Sequence, residues 1–157
     1  MLLLGLGNVL LQDEGLGVRA LERLLACYRL PAEVQAVDGG TMGLDLLPYL
    51  EQTNSLLIID AVQTGATPAS LVRLDGSAIS AALALKISLH QVGLKELLAI
   101  GQLQGTLPSR VVLWGMEPAS FAWGTELSPS IAGALDQLVH SVAGELRSWG
   151  YTIEPRT

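Results

Sequence analysis

The chain has a single cysteine, Cys27, so no internal disulfide is open to it. A lone thiol fits a reducing compartment, and a cytoplasmic protein is the expectation. Aromatic residues are scarce, 4% of 157 residues with one phenylalanine, which leaves the core to aliphatic side chains. Charge is scarce as well: 15% of residues are charged, nine basic against fifteen acidic, for a net charge of −6. That sign is wrong for a nucleic-acid surface, which needs Lys and Arg to displace counterions. No apolar run approaches the ~18 residues of a membrane span; the uncharged, apolar-rich stretch Ala78 to Leu85 falls far short of it. Leu2-Leu3-Leu4 is too short for a signal-peptide core, and no basic residue precedes it. Repeats, charge blocks and Ser/Gly linkers are missing too. With half of its residues hydrophobic the chain is not disordered, and a single domain over residues 1–157 is expected.

What is present alternates strand and helix. Leu2 to Gly5 reads as a buried strand stopped by Gly-Leu-Gly-Asn. Val18, Leu21, Leu24, Leu25 and Tyr28 recur at helical spacing, and Pro31 is expected to end that helix. Glu33 to Val37 reads as a second strand, closed by Asp38-Gly39-Gly40, with a short helix from about Gly43 to Gln52. Ser55 to Ile59 lacks polar alternation and reads as a strand buried on both faces. Ser70 to Leu74 follows after a link too short for a helical crossover, so an antiparallel strand is expected. Ser88 and Gln91 form a capping box for a helix starting near Leu89, ahead of Leu94, Leu97 and Leu98. Arg110 to Trp114 is a further strand, and a final helix runs from Ser130 to Ser148. The fold class that follows is α/β: one three-layer α/β/α domain around a mostly parallel, twisted sheet of about five strands, one antiparallel.

Ligands of open α/β sheets bind outside the carboxyl ends of the strands. On that rim the expected order places Glu14 after the first strand, Asp38 after the second, Asp60 after the third and His90 in the first turn of its helix. Two carboxylates and an imidazole suit a divalent first-row metal, and incomplete protein coordination leaves positions for substrate or water. A helix N-terminus favours neutral, ligating imidazole. Each residue also has a plainer role: Glu14 as a first-turn acid, Asp38 as a turn residue, Asp60 as a structural acid, His90 as a helix-start residue. His140 reads as a solvated face and Cys27 as packing. The serine-hydrolase elbow Gly-x-Ser-x-Gly does not occur. Gly5-x-Gly7 invites a dinucleotide site, but Leu10 occupies the third glycine position and Asp13-Glu14 would repel a pyrophosphate.

Five ordered blocks carry a family resemblance. Gly5 to Gly17, Asp38 to Leu44, Ile58 to Val62, His90 to Leu94, and Gly115-Met116-Glu117-Pro118 with Leu127-Ser128-Pro129 together resemble the nickel–iron hydrogenase maturation endopeptidases. One departure is Ala69-Ser70, where Gly-Thr is usual, which is expected to affect the turn more than the chemistry. The resemblance implies an endopeptidase that removes the C-terminal extension of a hydrogenase large-subunit precursor after nickel insertion. It places the metal-binding positions on Glu14, Asp60 and His90, and substrate recognition on Asp38, Gly39, Gly40 and Thr41. The nickel would belong to the substrate, so no tightly bound cofactor of the enzyme's own is expected. The expected partner is the large-subunit precursor, met transiently by a monomer, without nucleic acid or membrane. Whether the metal activates the scissile bond, with a carboxylate such as Asp38 as base, or only anchors the tail stays open. A non-cleaving nickel-dependent checkpoint protein and a metallopeptidase of small peptides are the competing readings.

Overall fold

In the computed structural model, residues 1–84 and 89–157 are described, with side chains over 1–82 and 93–157. The first strand, β1 (Leu2–Leu6), is buried along its whole length. A 3-10 turn at Gln12–Gly15 leads into α1 (Leu16–Cys27). β2 (Tyr28–Arg29) and β3 (Gln35–Gly40) follow, then a second 3-10 turn at Gly43–Leu46 and α2 (Leu47–Leu50). The chain continues through β4 (Ser55–Ala61), β5 (Leu71–Asp75), α3 (Ser77–Ala84) and α4 (Leu89–Gln104). It ends with β6 (Arg110–Met116), α5 (Pro129–Ser148) and β7 (Glu154–Pro155).

The five-stranded sheet has the order β3-β1-β4-β6-β5. Four strands run parallel and β5 pairs antiparallel with β6, as its short link to β4 requires. The strand alternation of β1 and β4 divides the core in two. Leu3, Leu57 and Ile59 pack with Leu16, Leu21 and Leu24 of α1 and with Leu138, Val142 and Leu146 of α5. Leu2, Leu4, Leu56 and Ile58 face the other way, onto Leu46 and Leu50, Ile79 of α3, and Leu94 and Leu97 of α4. These are the three layers of the expected α/β/α fold. Each fully buried Leu or Ile contributes about 1.5–3 kcal/mol of transfer free energy, so aliphatic packing replaces the missing aromatics.

Several boundaries move. β4 and β6 each run two residues further than their apolar runs, because Asp60 pairs with Gly115 and Ala61 with Met116 in a continuous parallel ladder. β3 likewise extends through Asp38, Gly39 and Gly40 instead of ending at Val37. The helix expected from Gly43 to Gln52 is a 3-10 turn followed by one α-helical turn. Tyr28, placed by periodicity on the first helix, is instead strand: it pairs with Pro155, and Arg156 N–H donates to the Cys27 carbonyl. α1 therefore stops at Cys27, before Pro31. α3 has no counterpart in the sequence reading. The capping residue Ser88 lies outside the described residues, although α4 begins at Leu89. Among the described residues, no helix is long and apolar enough to cross a membrane.

Candidate active site at the carboxyl rim of the sheet

Glu14 lies in the 3-10 turn between β1 and α1, and close backbone contact forces that turn down onto the sheet. A Cβ on Gly7, whose φ is +126°, would stand 1.7 Å from the Glu14 carbonyl oxygen, and one on Gly17 would stand 2.0 Å from that of Ile59. Only glycine fits either place. The turn thereby packs against the end of β4, where Asp60 sits. Both acids are buried, Glu14 at 4% and Asp60 at 1% exposure. The backbone N–H of Ala61 donates to Asp60 Oδ1 at 2.8 Å.

Asp60 follows Ile59 of the α1 side and so points to the α4 side of the sheet. His90 belongs to the first turn of α4, but its side chain lies outside the described residues. The backbone of α4 is located by Gly93, where a Cβ would stand 3.0 Å from the Cα of Gly43, at the end of the Asp38–Thr41 loop. Among the described residues, which omit the His90 side chain, no three His, Cys, Asp or Glu side chains converge.

Asp38 is arranged differently. It pairs with Gly5, whose missing side chain faces α1, so the pleat sends Asp38 to the side of the sheet opposite Asp60. It is exposed, and its Oδ1 accepts the Gly40 N–H at 3.0 Å, closing the Asp-Gly-Gly turn. Gly40 in turn accepts the Gly7 N–H at 2.9 Å, which ties the Asp38–Thr41 loop to the loop preceding Glu14. Gly39 is buried against Leu6 and Leu46, while Thr41 is exposed. The structure thus joins the Glu14, Asp60 and Asp38–Thr41 segments at one rim, with Asp38 on the outside.

Two rim acids went unread in the sequence. Asp13 is fully buried and accepts the backbone N–H groups of Ala119 and Ser120 at 2.9 Å each and of Ser128 at 2.8 Å, with the Ser128 hydroxyl at 2.8 Å. Glu117 is buried too, and accepts from the Thr64 N–H, the Thr64 hydroxyl and the Gly65 N–H. Each acid pins a loop that walls the rim: Asp13 holds 119–128 and Glu117 holds 64–65. The signal was their position inside the blocks Gly5–Gly17 and Gly115–Pro118, since an acid among glycines and prolines has loop N–H groups to satisfy. His140 is exposed on α5 and Cys27 half-buried at the end of α1, as expected of bystanders.

Comparison with known proteins follows this geometry. The profile of the HycI hydrogenase maturation proteases matches residues 18–145. This chain belongs to the hydrogenase maturation protease family. The hydrogenase expression/formation protein HupD of Rhodobacter capsulatus is 44% identical to the protease over 155 residues, spanning 98% of this chain and 74% of the relative. The hydrogenase 2 maturation protease of Escherichia coli is 34% identical over 157 residues, covering 99% and 96% of the two chains. Among solved structures, the hydrogenase maturating endopeptidase HybD from E. coli superposes with a TM-score of 0.94 at 35% identity, over 99% of the protease and 96% of that chain. The nickel–iron hydrogenase maturation protease HybD from Thermococcus kodakarensis aligns with a TM-score of 0.74 at 26% identity, over 92% and 97%. The family resemblance and the fold are thereby established, and the protein is an endopeptidase of hydrogenase maturation.

The Ala69 departure now has a structural meaning. Ala69 holds a φ of +69°, the left-handed region, while its N–H donates to the Glu117 carbonyl at 2.8 Å. A Cβ there costs about 1–2 kcal/mol, which the loop's hydrogen bonds to Glu117 offset.

Proposed function

We propose that the protease removes the C-terminal extension of a nickel–iron hydrogenase large-subunit precursor after nickel has been inserted. In this reading Glu14, Asp60 and His90 receive the nickel carried by the substrate. The reaction belongs in the cytoplasm. The observation that carries it is the burial of Glu14 and Asp60 on two segments packed together at the rim of a maturation protease.

Carboxylate oxygens and a neutral imidazole are ordinary donors for a first-row divalent ion. Burial sharpens their selectivity, because a low-dielectric wall screens a cation's attraction far less than water does. A precursor without its metal would offer these acids nothing to hold, so the metal serves as the recognition signal. The Asp38–Thr41 loop would guide the tail, since Asp38 and Thr41 are exposed beside the rim and the loop is held there by the Gly7–Gly40 bond. With one oxygen engaged by the Gly40 N–H, Asp38 keeps its other oxygen for a substrate group or a water. Polarisation of the scissile carbonyl by the metal, with Asp38 as base, predicts loss of turnover on Asp38→Asn with retained precursor binding. A purely anchoring metal predicts weaker precursor binding on Asp60→Ala.

The test is processing of a nickel-loaded precursor by wild-type protein, Glu14→Ala and Asp60→Ala, each checked for folding by circular dichroism. Both variants should lose at least ~100-fold in kcat/KM. An Asp60→Ala protein that cuts at the wild-type rate would remove the nickel assignment.

A further inference from the structure

An exposed large apolar side chain is ordinary when it stands alone. Among the described residues, Leu25 on α1 and Leu103 on α4 are such isolated cases. Leu10, Met42, Leu44 and Trp123 instead share the loops and the 3-10 turn at the rim described above. Trp123 is the most exposed of these four, an indole at 81% exposure, and Leu10 is 51% exposed.

The loop bearing Trp123 is rigidly tied. Asp13 holds it at Ala119, Ser120 and Ser128. Next to Trp123, the Gly124 N–H donates to the Leu10 carbonyl and the Gly124 carbonyl accepts the Gln12 N–H, both at 2.9 Å, around a bridge of Leu11 with Gly124. The indole is thus presented beside Leu10 on a backbone that has already lost its freedom. Its anchor, Asp13, is the neighbour of Glu14. The Gly7–Gly40 bond joins the segment carrying Leu10 to the one carrying Met42 and Leu44. Exposed acids flank these groups along the chain: Asp38 and Asp45 on either side of Met42 and Leu44, and Glu126 shortly after Trp123.

A preorganised indole costs little to order on binding, and tryptophan is the commonest side chain to dominate an interface. Flanking acids select a partner surface that is apolar at its centre and basic around it. We propose that Trp123 and Leu10 are the anchor on which the folded body of the large-subunit precursor docks, setting its C-terminal tail over Glu14 and Asp60. The proposal rests on the function given above and adds a second point of recognition, separate from the metal. Met42 and Leu44 extend the same surface across the neighbouring loop.

The experiment is steady-state processing of nickel-loaded precursor by wild type, Trp123→Ser, Trp123→Phe and Leu10→Ser, with precursor binding measured in parallel by interferometry. Trp123→Ser should raise KM about 10- to 100-fold while kcat and the melting temperature stay near wild type. Trp123→Phe should restore most of the affinity, and Leu10→Ser should raise KM less than Trp123→Ser. A KM that stays within about two-fold of wild type in both serine variants overturns the anchor. So does a patch that instead joins two copies of the protease, read as a dimer dissociated by Trp123→Ser with KM unchanged. If wild type leaves the precursor uncut, the proposed cleavage fails independently. Binding lost on Trp123→Ser would still support the docking surface, and binding indifferent to it would overturn that too.

Discussion

Two buried carboxylates, one on the flank of the sheet and one on the rim, are satisfied in opposite ways. On the flank, Glu145 of α5 accepts a bidentate pair from Arg73 at 2.8 and 2.9 Å, and the indole N–H groups of Trp114 and Trp149 at 2.8 and 2.9 Å. The Arg73 hydrogen bond, with the two indoles assisting, holds its pKa down to about 2 against the opposing effect of burial. On the rim, Asp13 is buried more completely, yet its partners are three backbone N–H groups and a hydroxyl. Glu145, paired with Arg73, closes a joint between α5, β5 and β6. Among the described residues, Asp13 and Glu117 keep loops in place through neutral donors. Loop acids met by neutral donors suit a surface whose proposed ligand arrives as a metal on another chain.

The widest separation of the two regions should come from isosteric neutralisation. Asp60→Asn keeps an acceptor for the Ala61 N–H, so the fold should hold while processing of nickel-loaded precursor falls at least ~100-fold. Glu145→Gln should do the reverse, lowering the melting temperature with kcat/KM unchanged. Equal activity losses in the two variants would erase the distinction.

Asp13→Ala comes next. It strands three N–H groups and a hydroxyl in the loop 119–128, and should cost about 2–4 kcal/mol in urea unfolding, with faster hydrogen exchange confined first to that loop. Uniform exchange across the chain would mean that Asp13 does not act locally.

Acid should act on the flank. Because the Glu145 pKa is depressed in the folded state, its contribution is complete above about pH 4.5 and is lost as pH falls towards about 2. Allowing for solvent screening of Arg73, whose side chain is 40% exposed, the loss is about 1–2 kcal/mol. Urea midpoints of wild type and Glu145→Gln should therefore converge on acidification. A constant gap would contradict this.

Smaller effects sharpen the picture. Ala69→Gly relieves the left-handed alanine beside Glu117 and should stabilise by about 0.5–1 kcal/mol, read as a raised urea midpoint with unchanged activity. Arg23→Ala removes an exposed pair with Asp136 at 2.7 Å and should leave the melting midpoint where it was.

Legibility in the sequence followed the same division. The strands Leu2–Leu6 and Ser55–Ala61 declared themselves because continuous apolar runs are what a doubly covered parallel sheet requires. Glu14 and Asp60 were expected at the rim from their places after those runs, and the fold puts both segments there. Asp60 nevertheless lies inside β4, because pairing with Gly115 lengthens the strand beyond its apolar residues. Tyr28 fitted the helical stripe of α1 but is claimed by Pro155 at the far end of the chain, a pairing that no local window contains. α3 escaped because its sequence is rich in Ser and Ala, and among its described side chains Ile79 is the buried one. Asp13 and Glu117 were hidden for a related reason: their partners lie in loops whose positions follow only from the fold. Asp38 was placed at the right rim, but the side of the sheet it faces depends on a register that only the structure supplies.

The measurement that bears most directly on the central claim is the intact mass of a hydrogenase large-subunit precursor, nickel-loaded and nickel-free, after incubation with this protease. Loss of a C-terminal peptide from the nickel-loaded form alone is the predicted result. Equal cleavage of the nickel-free form would contradict the metal role given to Glu14, Asp60 and His90.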